Sequence, residues 1–398
     1  VTQPLSGIFV ADFSRVLAGP LCTQMLADLG ATVVKIEEPE RGDETRRWGP
    51  PFVNGVSAYF LSINRNKRSI AVDLRRGGDV ARALIQRADV VVDNFLPSQR
   101  ASLGLENVRG LNPRVVHCAI TGYDSDTPDA AVPGYDLLAQ AGAGLMSITG
   151  DAEGDPMKAG VALSDVLTAH YAFGAINAAL FAREQSGAGA SIEISLFSAT
   201  LASLVNVAQN ALITKREAKR HGNAHPSIVP YQLFHAKDRA FAVGAGTDRH
   251  FAALCDVVER PKLALHPRFA TNAARVKHRE KLVPLLERIF ATNSARTWVA
   301  RCRKANIPAA LVQGVREALE TAPAQPLRTT LEHPLAGAYE ALRNPLRIDG
   351  ARLPIGTPPP LLGQHTDDVL SDLGYSPQKI AELRAAGVIG PRTTSGAG

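Results

Sequence analysis

Between residues 8 and 120 the chain alternates short apolar runs with amphipathic ones, and this alternation constrains the fold more than any other feature. Residues 8–13 read as a buried strand. Residues 20–30 carry helical spacing (Leu21, Met25, Leu26, Leu29) and end on a glycine suited to a helix C-cap. Residues 31–36 read as a second strand. A strand–helix–strand unit of this kind packs back on its own sheet in one hand only, so the two strands are expected to be parallel. Further strands are predicted at 69–74, 89–95 and 114–120, with a helix at 79–87. The fold class is therefore α/β, built on an open parallel Rossmann-like sheet. Ligands of such sheets lie at the carboxyl ends of the strands.

The remainder is coarser. A glycine-rich turn at 185–190 leads into a strand at 191–196 and a helix at 197–214. The charged stretch 215–221 and the loop Gly222-Asn-Ala-His-Pro226 then break the pattern. A second, smaller α/β section runs from 231 to 324, with a strand at 240–243 and helices at 249–258, 280–291 and 295–305. The tail holds short β-like pieces and a final helix at 366–386, and residues 393–398 read as disordered.

Composition narrows the class. No run approaches the ~20 apolar residues of a membrane span, and the first residues lack the basic start and apolar core of a secretory signal. The four cysteines are far apart, which speaks against a disulfide frame and a zinc knuckle and fits a reduced, cytoplasmic protein. The formal charge of +6 is scattered rather than gathered in a stripe, and aromatics make up 6%. A small polyanionic ligand suits that better than nucleic acid. The glycine pairs at 142/144, 187/189 and 244/246 do not form a dinucleotide fingerprint. Neither a metal-ligand spacing nor a serine-hydrolase elbow is present, so no metal is expected.

One carboxylate stands out. The apolar run at 161–163 arrives at Ser164-Asp165, after which small and apolar residues continue to about Phe181. Read blandly, Ser164 or Asp165 caps the free amides of a helix start. Read functionally, an aspartate there stays ionised through the helix dipole and is poorly solvated, as a carboxylate nucleophile would be. On the residues alone the capping reading is the stronger of the two. His170, five positions on, does not share a helix face with Asp165 and reads as a packed or interface histidine.

The chain resembles the class III CoA-transferases, the CaiB/BaiF or formyl-CoA transferase family. The matching motifs are Leu5-x-Gly-Ile-x-Val-x-Asp-Phe13, Leu17-Ala-Gly-Pro20, Leu29-Gly-Ala-x-Val-Val-Lys-Ile-Glu37, and Gly42-Asp43 with Arg46. Asn64-Arg-Asn-Lys-Arg-Ser69, Val72-Asp-Leu74, Asp93-Asn-Phe95, Gly134-Tyr-Asp-Leu-Leu-Ala-Gln140, Gly222-Asn-x-His-Pro226 and Leu362-Gly-Gln-His-Thr366 follow in family order.

That resemblance implies an acyl-CoA:carboxylate CoA-transferase in which Asp165 forms an aspartyl anhydride and then an aspartyl-CoA thioester. Coenzyme A is then a co-substrate, and no tightly bound cofactor is implied. It implies an interlocked homodimer acting on acyl-CoA and small carboxylic acids, without nucleic-acid or membrane partners. Residues 1–215 with 330–398 would form the large domain, and 222–329 a small domain closing over the active site.

By motif position, CoA contacts are expected at Val16, Leu17, Ala18, Val72, Leu74, Arg75, Asn94 and Phe95. Arg41 and Arg100 would stand in for the family's phosphate-side arginines. Gly222, Asn223, His225 and Tyr135 would face the acceptor. Formyl-CoA:oxalate enzymes carry glutamine at the position of Leu17 and a glycine run at that of His225, which argues against oxalate as acceptor. The family also contains α-methylacyl-CoA racemases, whose catalytic histidine is replaced here by Tyr135. A non-catalytic acyl-CoA-binding relative is the remaining alternative.

Overall fold

A computed structural model describes residues 3–391; residues 393–398, read above as disordered, lie outside the described residues. The chain divides into two compact units. Among the described residues the first comprises 3–145, 159–214 and 322–391, and the second 146–158 and 215–321. The segment 146–158, which the sequence reading kept with the large domain, belongs to the second unit.

The first unit is organised by six strands: β1 (Phe9–Asp12), β2 (Thr32–Glu37), β3 (Lys67–Ala71), β4 (Val90–Asp93), β5 (Val116–Thr121) and β6 (Ala190–Ser195). All pair in parallel, in the order β3-β2-β1-β4-β5-β6. This is the doubly wound order, in which the chain leaves β1 in one direction for β2 and β3 and returns to its other side for β4. The loops after β1 and β4 consequently diverge and leave a crevice between them.

Alternation along each strand feeds two cores. Val10, Val33, Val90, Val92, Val116 and Cys118 pack with α1 (Ala18–Asp28), through Cys22 and Leu26, and with the long helix at 163–186, through Ala169, Ala172, Ile176 and Leu180. Ala11, Val34, Ile36, Ile70 and Val91 face the opposite way, against Val80, Leu84 and Ile85 of the Gly78–Arg87 helix and Val369, Leu370 and Ile380 near the C-terminus. Backbone bonds from Asp73 N to Val388 O and from Gly390 N to Ala71 O run the C-terminal segment along β3, so this sheet edge is covered.

Two predicted helices are broken. The 197–214 helix is two, Leu196–Ala202 and Val205–Thr214, bent by 78°. The bend coincides with Val205 at φ +43°, a conformation a β-branched side chain disfavours and its sequence does not announce. The 366–386 helix is interrupted between Asp372 and Pro377, around Gly374 at φ +88°. The second unit carries an antiparallel sheet, with Ala240–Gly244 between Tyr231–His235 and Ala309–Leu311, and a core centred on Phe234, Phe241, Phe290 and Trp298. Among the described residues no single helix is long and apolar enough to cross a membrane.

Beneath the carboxyl ends of β1–β3 lies a buried ionic network. Lys67 Nζ donates to Asp12 Oδ2 (3.1 Å), Pro20 O (2.8 Å) and Asn64 Oδ1 (3.0 Å). Lys35 Nζ meets Asp43 Oδ2 at 2.7 Å and donates to Ser14 O at 2.9 Å. Glu37 accepts two bonds from Arg46 at 2.7 Å and one from Ser69 Oγ at 2.6 Å. Asp12 takes further bonds from Thr23 Oγ1 (2.6 Å) and the Ser14 hydroxyl. Burial alone would raise the Asp12 and Asp43 carboxyls, but the ammonium groups hold both below the usual range, Asp43 at about 2. Burial pushes Lys67 down to about 8, an effect that Asp12 only partly offsets.

A buried charge stripped of its partner costs about 3–5 kcal/mol. Asp12→Ala should accordingly lower the unfolding free energy by about that amount in urea melts. A loss below about 1 kcal/mol would show that the network does not hold the sheet together.

Candidate active site

The crevice between β1 and β4 is built by the turn that follows each strand. After β1, Ser14 and Gly19 approach so closely that a Cβ on Gly19 would lie 2.2 Å from Ser14 Cβ, so no side chain fits there. Val16 adopts φ +71°, strain of about 1–3 kcal/mol for a β-branched residue. Its N–H donates to Asp43 Oδ2 (3.3 Å), which ties the strained turn to the ionic network. From the other strand, Asn94 accepts from Arg15 N (3.0 Å) and donates to Arg15 O (2.9 Å). One amide side chain thus clamps the two turns together.

After β5, Gly122 and Gly134 lie back to back. A Cβ on Gly134 would fall 2.2 Å from Gly122 Cα, so both positions require glycine. This approach seats Tyr135 at the sheet end, immediately before α2 (Asp136–Gly142). The long helix, α3 (Leu163–Ser186), begins nearby.

Its N-cap is Ala162, which offers no side-chain bond, so neither Ser164 nor Asp165 caps it. Instead the Ser164 N–H donates to Asp136 Oδ1 at 2.8 Å, and Ser164 Oγ accepts from Thr200 Oγ1 at 2.7 Å. Ser164 is fully buried, which leaves its neighbour Asp165 on the cavity side.

Asp165 lines a cavity of about 90 Å³ with Val16, Leu17, Ala18, Asn94, Phe95 and Tyr135, all of them predicted site residues. Its carboxylate is half-buried and takes no hydrogen bond or ion pair among the described residues. Burial, and then the charge of Asp136, raise it to about 7. Desolvation and a second carboxylate thus oppose the ionised form that a helix start by itself favours.

An adjoining cavity of about 240 Å³ shares Arg15 and Phe95 with the first and is lined by Val72, Leu74 and Arg75 at the end of β3. The Arg75 guanidinium is exposed and makes no ion pair among the described residues, as a phosphate ligand would require. Arg100 is different: it bonds Asp93 Oδ1 at 2.9 Å and lines neither cavity. Arg41 is exposed on the turn where its N–H meets Glu38 Oε2 (2.6 Å), and also lines neither.

Gly222, Asn223 and His225 belong to the second unit and are not among the residues lining either cavity. There His225 Nδ1 accepts from Ser227 N (3.0 Å), and its ring meets Tyr231 edge-on, 5.5 Å away. His170 is exposed rather than packed, its ring bonded to Val166 O at 2.7 Å on its own helix.

Sequence reasoning missed three residues. Tyr59 sits against Trp48, ring centroids 5.3 Å apart, and is pushed up to about 12 by burial, then by Asp165 and Asp136. Thr121 carries a buried hydroxyl without a partner in the wall of the Asp165 cavity. Asp136 stands in the sequence only as one member of the Gly134–Gln140 motif. None has a local signal, since each acquires its role from a strand end or helix start distant in sequence.

The doubly wound sheet thus carries a desolvated aspartate at its switch-point crevice, where open α/β sheets bind their ligands. The model for CoA-transferase family III matches residues 5–366, and the chain belongs to that family. It is 41% identical to the succinyl-CoA:glutarate CoA-transferase of Mus musculus, over 97% of this chain and 90% of the relative. It is 40% identical to the succinate–glutarate CoA-transferase of Agrobacterium fabrum, over 93% and 96%. Among solved structures, a CaiB/BaiF family protein from Brucella suis superposes with a TM-score of 0.83 at 37% identity, covering 94% of this chain and all of that one. The protein is a family III CoA-transferase, and CoA thioesters are substrates of the family.

A carboxyl whose pKa rises on folding, from 3.8 to about 7, weakens the fold progressively across that window, and above it the penalty is complete. Asp165→Asn should therefore raise the melting temperature at pH 8 and leave it nearly unchanged at pH 4. An equal shift at both pH values would show that Asp165 ionises normally.

Proposed function

We propose that the protein moves CoA between a dicarboxylic acyl-CoA of the succinyl type and a free dicarboxylate of the glutarate type, with Asp165 as the covalent carrier. The observation that carries this reading is the Asp165 carboxylate, half-buried in the crevice with no partner and a pKa near neutrality. Such a group is both ionised enough to attack and basic enough to be a good nucleophile.

In the first step an Asp165 oxygen attacks the donor thioester carbonyl. The C–S bond breaks, and a mixed anhydride and CoA thiolate result. The thiolate then attacks the aspartyl carbonyl carbon and expels the donor acid, which gives an aspartyl-CoA thioester. The acceptor carboxylate attacks that carbon in turn and releases the thiolate. The thiolate finally takes the acceptor acyl group from the anhydride and frees Asp165. No net proton is consumed.

Each addition places negative charge on a carbonyl oxygen, which needs nearby donors. Val16, Leu17, Ala18, Asn94 and Phe95 hold the thioester end of CoA, and Val72, Leu74 and Arg75 its phosphate end. The relatives named for succinyl-CoA and glutarate support the choice of dicarboxylates. A homodimer is part of the proposal: Phe181 (71% exposed), Leu212 and Ile213 offer apolar surface that a partner subunit would cover.

The test is to incubate the protein with succinyl-CoA, trap with hydroxylamine and map the adduct. It should fall on Asp165, and Asp165→Ala should reduce turnover by about 10⁴-fold or more. In an acceptor panel glutarate should exceed oxalate and simple monocarboxylates. Turnover that survives Asp165→Ala, or an adduct elsewhere, refutes the proposal. Exchange of an α-proton of a 2-methylacyl-CoA without acceptor acid would identify a racemase instead.

A further inference from the structure

α3 lacks a cap of its own, yet its first turn carries the aspartate. Its N-cap residue, Ala162, has no side-chain acceptor, and the free Ser164 N–H is taken by Asp136 Oδ1 at 2.8 Å. The other oxygen, Asp136 Oδ2, accepts from Gln140 Nε2 at 2.8 Å, one turn along α2. Gln140 is fully buried and reaches the chain that enters α3: its Oε1 accepts from Ala159 N (2.8 Å), and its Nε2 lies 3.4 Å from Val161 O. One carboxylate and one amide on α2 therefore fix the segment 159–164 that delivers Asp165.

We infer that Asp136 is a positioning residue for the transfer: it anchors the start of α3 from a neighbouring helix and holds a second negative charge against Asp165. The inference rests on Asp165 being the carrier. Occupying the Ser164 amide removes a donor that would otherwise be free to stabilise an anion at the helix start. The added charge disfavours ionisation of Asp165, so the carboxylate stays basic. A more basic carboxylate is the better nucleophile towards a thioester.

The other groups that face Asp165 do not supply this charge. Tyr59, from the helix at 58–63, and Tyr135 are phenols, and Arg15 from the β1–α1 turn is paired with Glu44 at 2.8 Å. The end of β5 offers Thr121 and Gly122, the helix after β6 offers Leu196, and the start of α1 offers Ala18; none carries a charge.

The experiment follows single-turnover acylation of Asp165 by succinyl-CoA as a function of pH, with the adduct read on the trapped peptide. Only the ionised carboxylate reacts, so the rate rises with pH and levels off above the Asp165 pKa. The wild-type limb should lie near pH 7. Asp136→Asn keeps an acceptor for Ser164 N–H but removes the charge. It should move the limb down by at least about one pH unit and lower the plateau about 10–100-fold, because its Nδ2 cannot accept from Gln140 Nε2 and the anchor of the segment 159–164 loosens. Asp136→Glu restores the charge and should return the limb towards the wild-type position.

If Asp136→Asn does not fold, Asp136→Ser, which retains a smaller oxygen acceptor, gives the same readout. A limb that stays in place in the neutral variant overturns the inference while Asp165 is still acylated. Absence of acylation in the wild-type protein refutes the carrier reading itself, so the two failures are distinct.

Discussion

Two ammonium groups, Lys35 and Lys67, lie wholly buried under the carboxyl ends of β1–β3, and the site above them depends on how they are neutralised. Asp12 and Asp43 balance them, and both acids have a second task. Asp12 receives the Ser14 hydroxyl and Thr23, which shape the turn into α1; Asp43 receives the N–H of Val16, the strained residue of that turn. The turn can hold a left-handed valine because its surroundings over-determine it. Dismantling the ion pairs would leave unpaired charges in the core and also release the wall of the crevice.

The crevice itself follows from topology. β1 and β4 are neighbours in the sheet, but their following segments depart to opposite sides, and Asn94 bridges the resulting gap with two bonds to Arg15. Close glycine contacts at Gly19 and at Gly122–Gly134 bring the walls nearer than side chains would permit. Into this frame α3 delivers one aspartate whose backbone is anchored and whose side chain is left without a partner. Rigid delivery with an uncommitted carboxylate is what a covalent carrier requires.

Much of this was legible beforehand, for reasons that differ by element. The parallel strands followed from short apolar runs separated by amphipathic ones, because burial on both faces leaves that mark. Asp12, Lys35, Glu37, Asp43, Arg46, Lys67 and Ser69 were all quoted as motif residues. Their joint purpose, one buried ionic network, could not be read, since a lysine within an apolar strand does not reveal the acid it meets. Asp165 stands out in the sequence as the residue to watch, but the second carboxylate beside it leaves no local mark. A helix start suggests a stabilised anion, whereas burial and Asp136, 29 positions earlier, push the other way. The break in the 197–214 helix is hidden because apolar residues continue across it, whereas that in the 366–386 helix is marked by Gly374 and by Ser376-Pro377, a helix stop followed by a helix start. Arg100 was chosen by nearness in sequence, but its proximity in space is to Asp93.

The central claim is that Asp165 carries the acyl group covalently, and the fate of one oxygen atom tests it most directly. When an acceptor acid labelled with heavy oxygen in its carboxylate attacks the aspartyl thioester, the bridging oxygen of the anhydride comes from the acceptor. It remains on Asp165 when the thiolate takes the acyl group. After turnover with labelled glutarate and succinyl-CoA, the peptide containing Asp165 should have gained heavy oxygen at that side chain, and no other peptide should have done so. Full turnover with an unlabelled Asp165 would contradict the account.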